Sequence, residues 1–292
     1  MIAITGITGH SGRYFYQELI KHKYKEEICF LVRESSDTTF IANQSNFHII
    51  KVDLNQDDSL TMALSNIDTI IHIAGIQYSL NIVKAAIINK CKRLIVVHTT
   101  GSYSKYKEAA SEYIKIDQEL ARYQTQIKIT VLRPTMIYGD LCDHNMSKFI
   151  KMIDQLKLYP NIAGGHCLIQ PVHAADLGLA YYQVLTNSNT EGKEYILSGE
   201  KPIELIKCLK IIKTQLNSHN LFIHVPLWLA IFSAKCLKFI SLGKIDIIEK
   251  VQRMGEDRSY DHQAATRDFG FQPRCFEQGI YNEIIQYKEM KK

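Results

Sequence analysis

Ile2-Ala3-Ile4-Thr5-Gly6-Ile7-Thr8-Gly9-His10-Ser11-Gly12 opens the chain. Four residues of buried-strand character run into glycines spaced three apart, and a helical pattern begins near Arg13. Such a chain must turn tightly, leave its amides bare and aim a helix N-terminus at whatever lies in front. That terminus carries roughly half a positive elementary charge and unpaired N–H groups, which suits a pyrophosphate. Turns use glycine freely. Glycines placed after an apolar strand and before a helix are what a dinucleotide site requires. The turn residues expected to hold the cofactor are Gly6, Thr8, Gly9, His10, Ser11 and Gly12.

Outward from this turn, apolar β-branched runs recur at 28–32, 47–52, 67–73, 94–98 and 127–132. Amphipathic stretches at 14–21, 59–64, 80–89 and 105–123 separate them. Continuous apolar runs alternating with helices predict strands buried on both faces, hence an α/β fold with a doubly wound parallel sheet of Rossmann type. Right-handed crossovers then bring the loops after the strands to one edge, where a ligand binds. After Pro134 the rhythm changes to helices at 146–156, 174–185, 203–216, 226–242 and 276–287, with short strands at 167–169, 194–197 and 221–224. This predicts a nucleotide-binding domain over 1–140 and a smaller substrate lobe over 141–292, part of which returns to the main sheet.

At 292 residues the chain can bury a large core, and its net charge of +5 is spread without a long basic block. Nucleic acid is therefore not an expected partner; a small anionic ligand is. The seven cysteines are scattered with no metal spacing, so no metal site is expected and the thiols read as reduced. A strand beginning at residue 2 leaves no room for a signal peptide, which predicts a cytoplasmic protein. The apolar stretch 221–243 is interrupted by Lys235 and Lys238, which argues against a membrane span. A helix packed in the second lobe is the simpler account, and membrane attachment is not expected. Its rival is an interfacial helix with lysines at the headgroups.

Strand two ends at Arg33, where a fold that prefers NAD usually carries an acid for the ribose hydroxyls. A guanidinium there favours a 2′-phosphate, so NADP(H) is expected over NAD(H), unless Glu34 takes the ribose. Asp53 either accepts from the adenine or caps the next helix. Ala74 and Gly75 end strand four and would let backbone approach the cofactor. His72, inside that apolar run, reads as a satisfied core histidine.

These residues resemble the short-chain dehydrogenase/reductase superfamily, in its extended NAD-dependent epimerase/dehydratase branch, with features of the atypical NmrA-like members. The resemblance is carried by residues 5–12, by Val52-Asp53-Leu54, by 72–75 and by Leu132-Arg133-Pro134-Thr135-Met136-Ile137-Tyr138-Gly139. It continues through Gln170-Pro171-Val172-His173-Ala174-Ala175-Asp176 to Asp268-Phe269-Gly270-Phe271-Gln272-Pro273, nearly the whole chain in family order. It implies a Rossmann domain with a C-terminal substrate lobe. It adds Leu54 to the cofactor site, places Pro134 near the nicotinamide and sets 170–176 at the lobe junction. Asp176 also reads as a helix-start acid.

Family members that oxidise or reduce a carbinol use a tyrosine, a lysine four residues later, and an upstream serine or threonine. A lysine ammonium beside a phenol lowers its pKa from about 10 towards working pH. Here Thr99 or Thr100 supplies the hydroxyl, with Thr100 the expected residue, and Tyr103 with Lys107 has the pair's spacing. The pair follows the threonines more closely than the family does. Tyr113 lies at a more usual distance, but Asp117 stands where its lysine should, and a carboxylate raises a phenol's pKa. Three readings compete: a shifted Tyr103–Lys107 pair, reduction without that pair, or nucleotide binding without turnover. Tyr103, Tyr106 and Tyr113 also suit one packed helix face. Lys148, Lys151, Arg253 and Arg258 either meet substrate phosphates or are surface charges. The resemblance implies an NAD(P)-dependent oxidoreductase or epimerase, a nucleotide-linked sugar as substrate and a homodimer as an expected assembly; the alternative is a non-catalytic NADP(H)-binding regulatory or assembly protein.

Overall fold

The computed structural model describes residues 1–106 and 110–291. In chain order the first half runs β1 (Ile2–Thr5), α1 (His10–Lys21), β2 (Ile28–Val32), β3 (Phe47–Lys51), α2 (Asp57–Ala63), β4 (Thr69–His72), α3 (Ser79–Ile88), β5 (Arg93–Val97), α4 (Ser111–Ala121) and β6 (Lys128–Pro134). The second half adds β7 (Ile137–Tyr138), α5 (Met146–Gln155), β8 (Leu158–Ile162), β9 (Leu168–Ile169), β10 (Val172–His173), α6 (Ala174–Leu185), β11 (Glu194–Leu197), β12 (Ile203–Glu204) and α7 (Leu205–Leu216). It ends with β13 (Leu221–Val225), α8 (Leu227–Ile240), α9 (Ile248–Gln252), α10 (Gln263–Phe269) and α11 (Phe276–Met290).

Seven strands form one sheet in the order β11-β6-β5-β4-β1-β2-β3, and every pairing in it is parallel. The order reverses between β1 and β4, so their C-terminal ends flank the switch point where ligands of such sheets bind. Residues of β1, β2 and β5 are buried throughout, while β3 at the edge has only half-buried and exposed residues. Successive side chains point to opposite faces. Ile2 and Ile4 therefore join Phe15 and Leu19 of α1 and Leu177 and Tyr181 of α6. Ala3 joins Leu60 of α2, Val83 of α3 and Leu120 of α4 on the other face. Each buried Ile, Leu, Val or Phe among them contributes about 1.5–3 kcal/mol.

The predicted cut at 140 is crossed more than once. Helices α6 and α10 and strand β11 lie with the nucleotide-binding layers, whereas α5, α7 and α11 enclose a separate core around Tyr138, Ile150, Leu209 and Ile280. Strand β8 was not foreseen. Pro160 breaks its strand pattern, but among the described residues it pairs with β13 alone, in a two-stranded sheet where a missing N–H is tolerated. The expected helix 105–123 is shorter: Thr100–Tyr103 is a 3₁₀ turn and α4 begins at Ser111.

Candidate active site

Gly6 leaves β1 at φ +76, and a Cβ there would lie 2.5 Å from the amide nitrogen of Ala74. The turn therefore lies directly against the end of β4. At Gly12 a Cβ would run into the Gly6 carbonyl and within 2.8 Å of Ile7 Cα, so this glycine seats α1 on the turn. Gly9 differs. It is exposed, caps α1 with φ −78 and ψ 173, and its Cβ would meet only the Gly6 carbonyl at 3.2 Å. The exposed N-cap of α1 has no side-chain cap and no acid in the first turn. Gly9 N donates to the Gly6 carbonyl at 3.0 Å, so this cradle fits a dinucleotide's diphosphate against the amides from His10 onward.

Other expected cofactor residues have more varied surroundings. The imidazole of His10 pairs with Asp140 at 3.1 Å, which ties the helix start to the second half of the chain. Ser11 is buried and bonded to the Tyr181 hydroxyl at 3.3 Å; Thr8 accepts from Arg13 Nε at 3.3 Å through its carbonyl. Arg33 is exposed at the end of β2, while Glu34 turns away to Lys51 at 2.6 Å. Arg13, missed at the sequence level, is exposed on α1 and stacks over Phe40 at 4.6 Å. Asp53 accepts from Asn55 N at 2.9 Å, and α2 starts later with Gln56 as its N-cap. The capping role is therefore wrong; Asp53 shapes the loop instead. Leu54 is buried, and Ala74 and Gly75 follow β4 beside Gly6. His72 is buried on Thr5 Oγ1 at 2.7 Å, and burial lowers its pKa to about 3.

Beyond the C-terminal ends of β5 and β6 a cavity of about 650 Å³ is lined by Thr99, Thr100, Tyr113, Gln170 and Tyr260, among others. Thr100 spends its one O–H on the Pro134 carbonyl at 3.2 Å. Thr99 Oγ1 accepts from Gly101 N at 3.0 Å and so keeps its own proton to donate. Tyr103 does not line this cavity. Its hydroxyl donates to Glu194, and burial with that carboxylate pushes its pKa well above the usual value, the reverse of what a proton-transferring phenol needs. Lys107 lies outside the described residues.

Tyr113 faces the cavity, and the objection to it is answered by Asp117's partners. Asp117 bonds His98 Nδ1 at 2.6 Å and Arg133 at 2.8 Å. Burial works against its charge, but these bonds hold its carboxyl below the usual range. Arg133 in turn reaches Glu194 at 2.8 Å. Distant pairing neutralises a carboxylate that sequence spacing alone sets against the phenol.

Three of the four cations singled out from the sequence, Lys148, Arg253 and Arg258, line the cavity, and Lys250 joins them. Arg253 pairs loosely with Glu256 at 3.7 Å, and that carboxylate also accepts from Ser104 Oγ at 2.7 Å and Lys105 N at 2.8 Å. At the lobe junction Gln170 Nε2 donates to the Gly199 carbonyl at 2.7 Å, and Asp176 in the first turn of α6 pairs with Arg274 at 2.8 Å.

Residues 6–145 match the sequence model of the NAD(P)H-binding family. The chain is 23% identical over 211 residues to NADH dehydrogenase [ubiquinone] 1 alpha subcomplex subunit 9, mitochondrial, of Dictyostelium discoideum, covering 68% of this chain and 59% of that one. Over 206 residues it is 24% identical to quinone oxidoreductase 2 of Escherichia coli (strain K12), covering 68% and 69%. The NADPH complex of that enzyme superposes with a TM-score of 0.78 at 21% identity, over 96% of this chain and 98% of that one. DesIV, the dTDP-glucose 4,6-dehydratase of Streptomyces venezuelae with NAD and TYD bound, gives a TM-score of 0.76 at 16% identity, over 99% and 97%. Residues 6–145 are thus similar to the NAD(P)H-binding family, and the chain has the Rossmann-type fold of the epimerase/dehydratase and quinone oxidoreductase structures.

Proposed function

We propose that the chain is an NAD(P)-dependent oxidoreductase acting on a carbonyl or carbinol carbon of a small anionic molecule, with NADP(H) preferred and a nucleotide-linked sugar as the substrate class. The observation that carries this reading is the cavity beyond the ends of β5 and β6, whose lining includes Lys148, Lys250, Arg253 and Arg258. Four cations around one cavity complement a diphosphate. A bound dinucleotide supplies or accepts the hydride. The chain's own part is to position and to move a proton. Thr99, with its free O–H, orients the substrate oxygen, and Thr100 holds the Pro134 backbone beneath it. Tyr113, whose hydroxyl has no partner among the described residues, is the proposed proton donor in place of Tyr103. The exposed Arg33, with Glu34 drawn off to Lys51, supports the 2′-phosphate preference.

Calorimetry with NADPH and NADH, followed by cofactor oxidation on nucleotide-linked sugars and simple carbonyls, tests the reading. Arg33→Ala should erase the NADPH preference and leave NADH affinity within about twofold, since only the 2′-phosphate contact is lost. Arg258→Gln should raise KM with kcat retained, because it removes ground-state binding. Cofactor binding with no turnover on any substrate would instead support the second reading, a nucleotide-binding regulatory or assembly protein. The commitment of Tyr103 to Glu194 favours that alternative.

A further inference from the structure

Helix α8 does not pack as the sequence suggests. Only Ala230 and Ala234 are buried; with half-buried Leu227 and Ile231 of the same helix they pack around Val251 and Ile248 of α9. The large residues face outward: Trp228 is 70% exposed, Phe232 60%, Phe239 84%, Ile240 77%, and Leu242 just beyond the helix 88%. Trp228, Phe232, Lys235 and Phe239 follow one another at helical spacing on one face. The expected packed helix is therefore corrected: two alanines with half-buried Leu227 and Ile231 make the contact, and most of the bulky apolar residues are left in water. A contiguous patch of this kind marks an interaction surface.

The charges say which one. Residues 226–250 carry four lysines, one aspartate, one glutamate and no arginine. Lys238 pairs with Asp246 at 2.6 Å, while Lys235 and Lys244 have no ion-pair partner among the described residues. Protein interfaces enrich arginine and exclude lysine. Lysines bordering protruding aromatic and aliphatic side chains instead match a helix lying at a lipid headgroup layer. Lys235, Lys238, Phe239, Leu242, Gly243 and Ile248 also line a cavity of about 390 Å³, which sets ammonium groups beside apolar walls. That pairing accommodates a phosphate head and the upper part of an acyl chain. Among the described residues no helix is long and apolar enough to cross a membrane.

We infer that α8 and the loop after it dock this protein on the surface of an anionic phospholipid membrane, with Trp228, Phe232, Phe239 and Leu242 inserted and Lys235 and Lys244 at the headgroups. The same stretch reaches the cavity of the candidate active site: Ile248 lines the apolar pocket, and Lys250, two residues on in α9, lines the larger one. Docking thus occurs next to the mouth through which a substrate would enter.

Trp228 is the chain's single tryptophan, so its emission reports the event directly. The full-length protein is mixed with vesicles of phosphatidylcholine alone, or of phosphatidylcholine with a one-third share of phosphatidylglycerol, and both emission and co-sedimentation are read. A blue shift and pelleting with the anionic vesicles are expected, weakened by high salt. Phe239→Ser/Leu242→Ser should weaken pelleting at least about tenfold, since it removes two apolar insertions. Both sites are exposed, so folding is unaffected and circular dichroism verifies it. Lys235→Gln/Lys244→Gln should abolish the preference for anionic over neutral vesicles. Unchanged emission with either vesicle overturns the inference, as does a serine variant that pellets like the parent. A dimer in solution that the serine variant converts to monomer, with no vesicle binding by either, overturns it in favour of a second copy of the chain on this face.

Discussion

Three glycines of the opening turn look alike in sequence but differ in what they do. Gly6 and Gly12 are structural: one holds φ +76 against Ala74, the other leaves no room for a Cβ over Gly6 and Ile7. Gly9 holds an ordinary extended φ and is constrained only at 3.2 Å, so its openness serves the ligand. Gly9→Val should therefore fold with little loss of thermal stability while weakening dinucleotide binding by at least about tenfold, about 1.4 kcal/mol. Gly12→Ala should instead lower stability by about 1–3 kcal/mol through overpacking. Thermal unfolding and calorimetry on the two variants separate these outcomes; a Gly9→Val protein that binds like the parent would remove the diphosphate from this turn. The tyrosines divide in a similar way. Tyr113→Phe should reduce turnover by about 10²–10⁴-fold with cofactor affinity intact, the usual span for a lost general acid. Tyr103→Phe should leave turnover within a few-fold and cost at most about 1 kcal/mol for its exposed bond to Glu194. Single-turnover kinetics decide between them. The glycine positions were legible because a turn is local. The tyrosines were not, because Asp117 is neutralised by His98 and Arg133, which reach it from other strands.

At the scale of elements, most strands and helices follow from periodicity alone, because β1, β2 and β5 are buried on both faces and α1 is strongly sided. What periodicity does not convey is the direction a helix faces. α8 reads as a core helix from its apolar content, yet its only fully buried residues among those described are two alanines, with Leu227 and Ile231 half-buried beside them. Nor does it convey meetings between distant elements. Glu283 of α11 is wholly buried and faces Asp143, whose carboxylate accepts from Ser147 N at 3.3 Å at the start of α5. Burial first, and the neighbouring carboxylate second, push the Glu283 pKa up to about 10. The folded protein therefore holds a proton here that the unfolded chain releases above about pH 4.3. Between that value and about 10 the folded state binds more protons, so this contribution to stability falls as pH rises. The slope is up to about 1.4 kcal/mol per pH unit. Glu283→Gln keeps the neutral shape and cannot ionise. It should flatten the decline, so that urea unfolding at pH 5, 7 and 9 brings the variant level with the parent or above it at the alkaline end. Parallel curves for the two proteins would show that Glu283 is already ionised in the folded state.

For the whole molecule, the question is what holds the nucleotide-binding layers and the substrate core in one arrangement. Family order in the sequence points to 170–176 as the junction but not to its partners. In the structure the junction is polar and specific. Asp176, buried in the first turn of α6, accepts from Arg274 Nε at 2.9 Å and from Arg274 N at 3.0 Å. Arg274 immediately precedes α11, which packs on α5 and α7 of the second core. His10 on α1 meets Asp140 at 3.1 Å from the same side. These bonds join groups from separate cores, so they set relative position as well as stability. Removing one partner of a buried pair leaves the other desolvated and uncompensated, which typically costs about 3–5 kcal/mol. Arg274 is partly exposed, and water can reach the vacated site, so Arg274→Met should cost less, about 2–3 kcal/mol. Asp176→Asn alone should cost a similar amount, because the guanidinium loses its counter-charge but keeps solvent. The double variant Asp176→Asn/Arg274→Met should recover at least about 1 kcal/mol of the summed losses, since neither charge is then stranded. Urea unfolding of all four proteins gives the coupling directly. A cofactor affinity preserved in Arg274→Met alongside a raised substrate KM would assign the clamp to lobe position. Strict additivity of the two single substitutions would mean that the pair does not couple the cores.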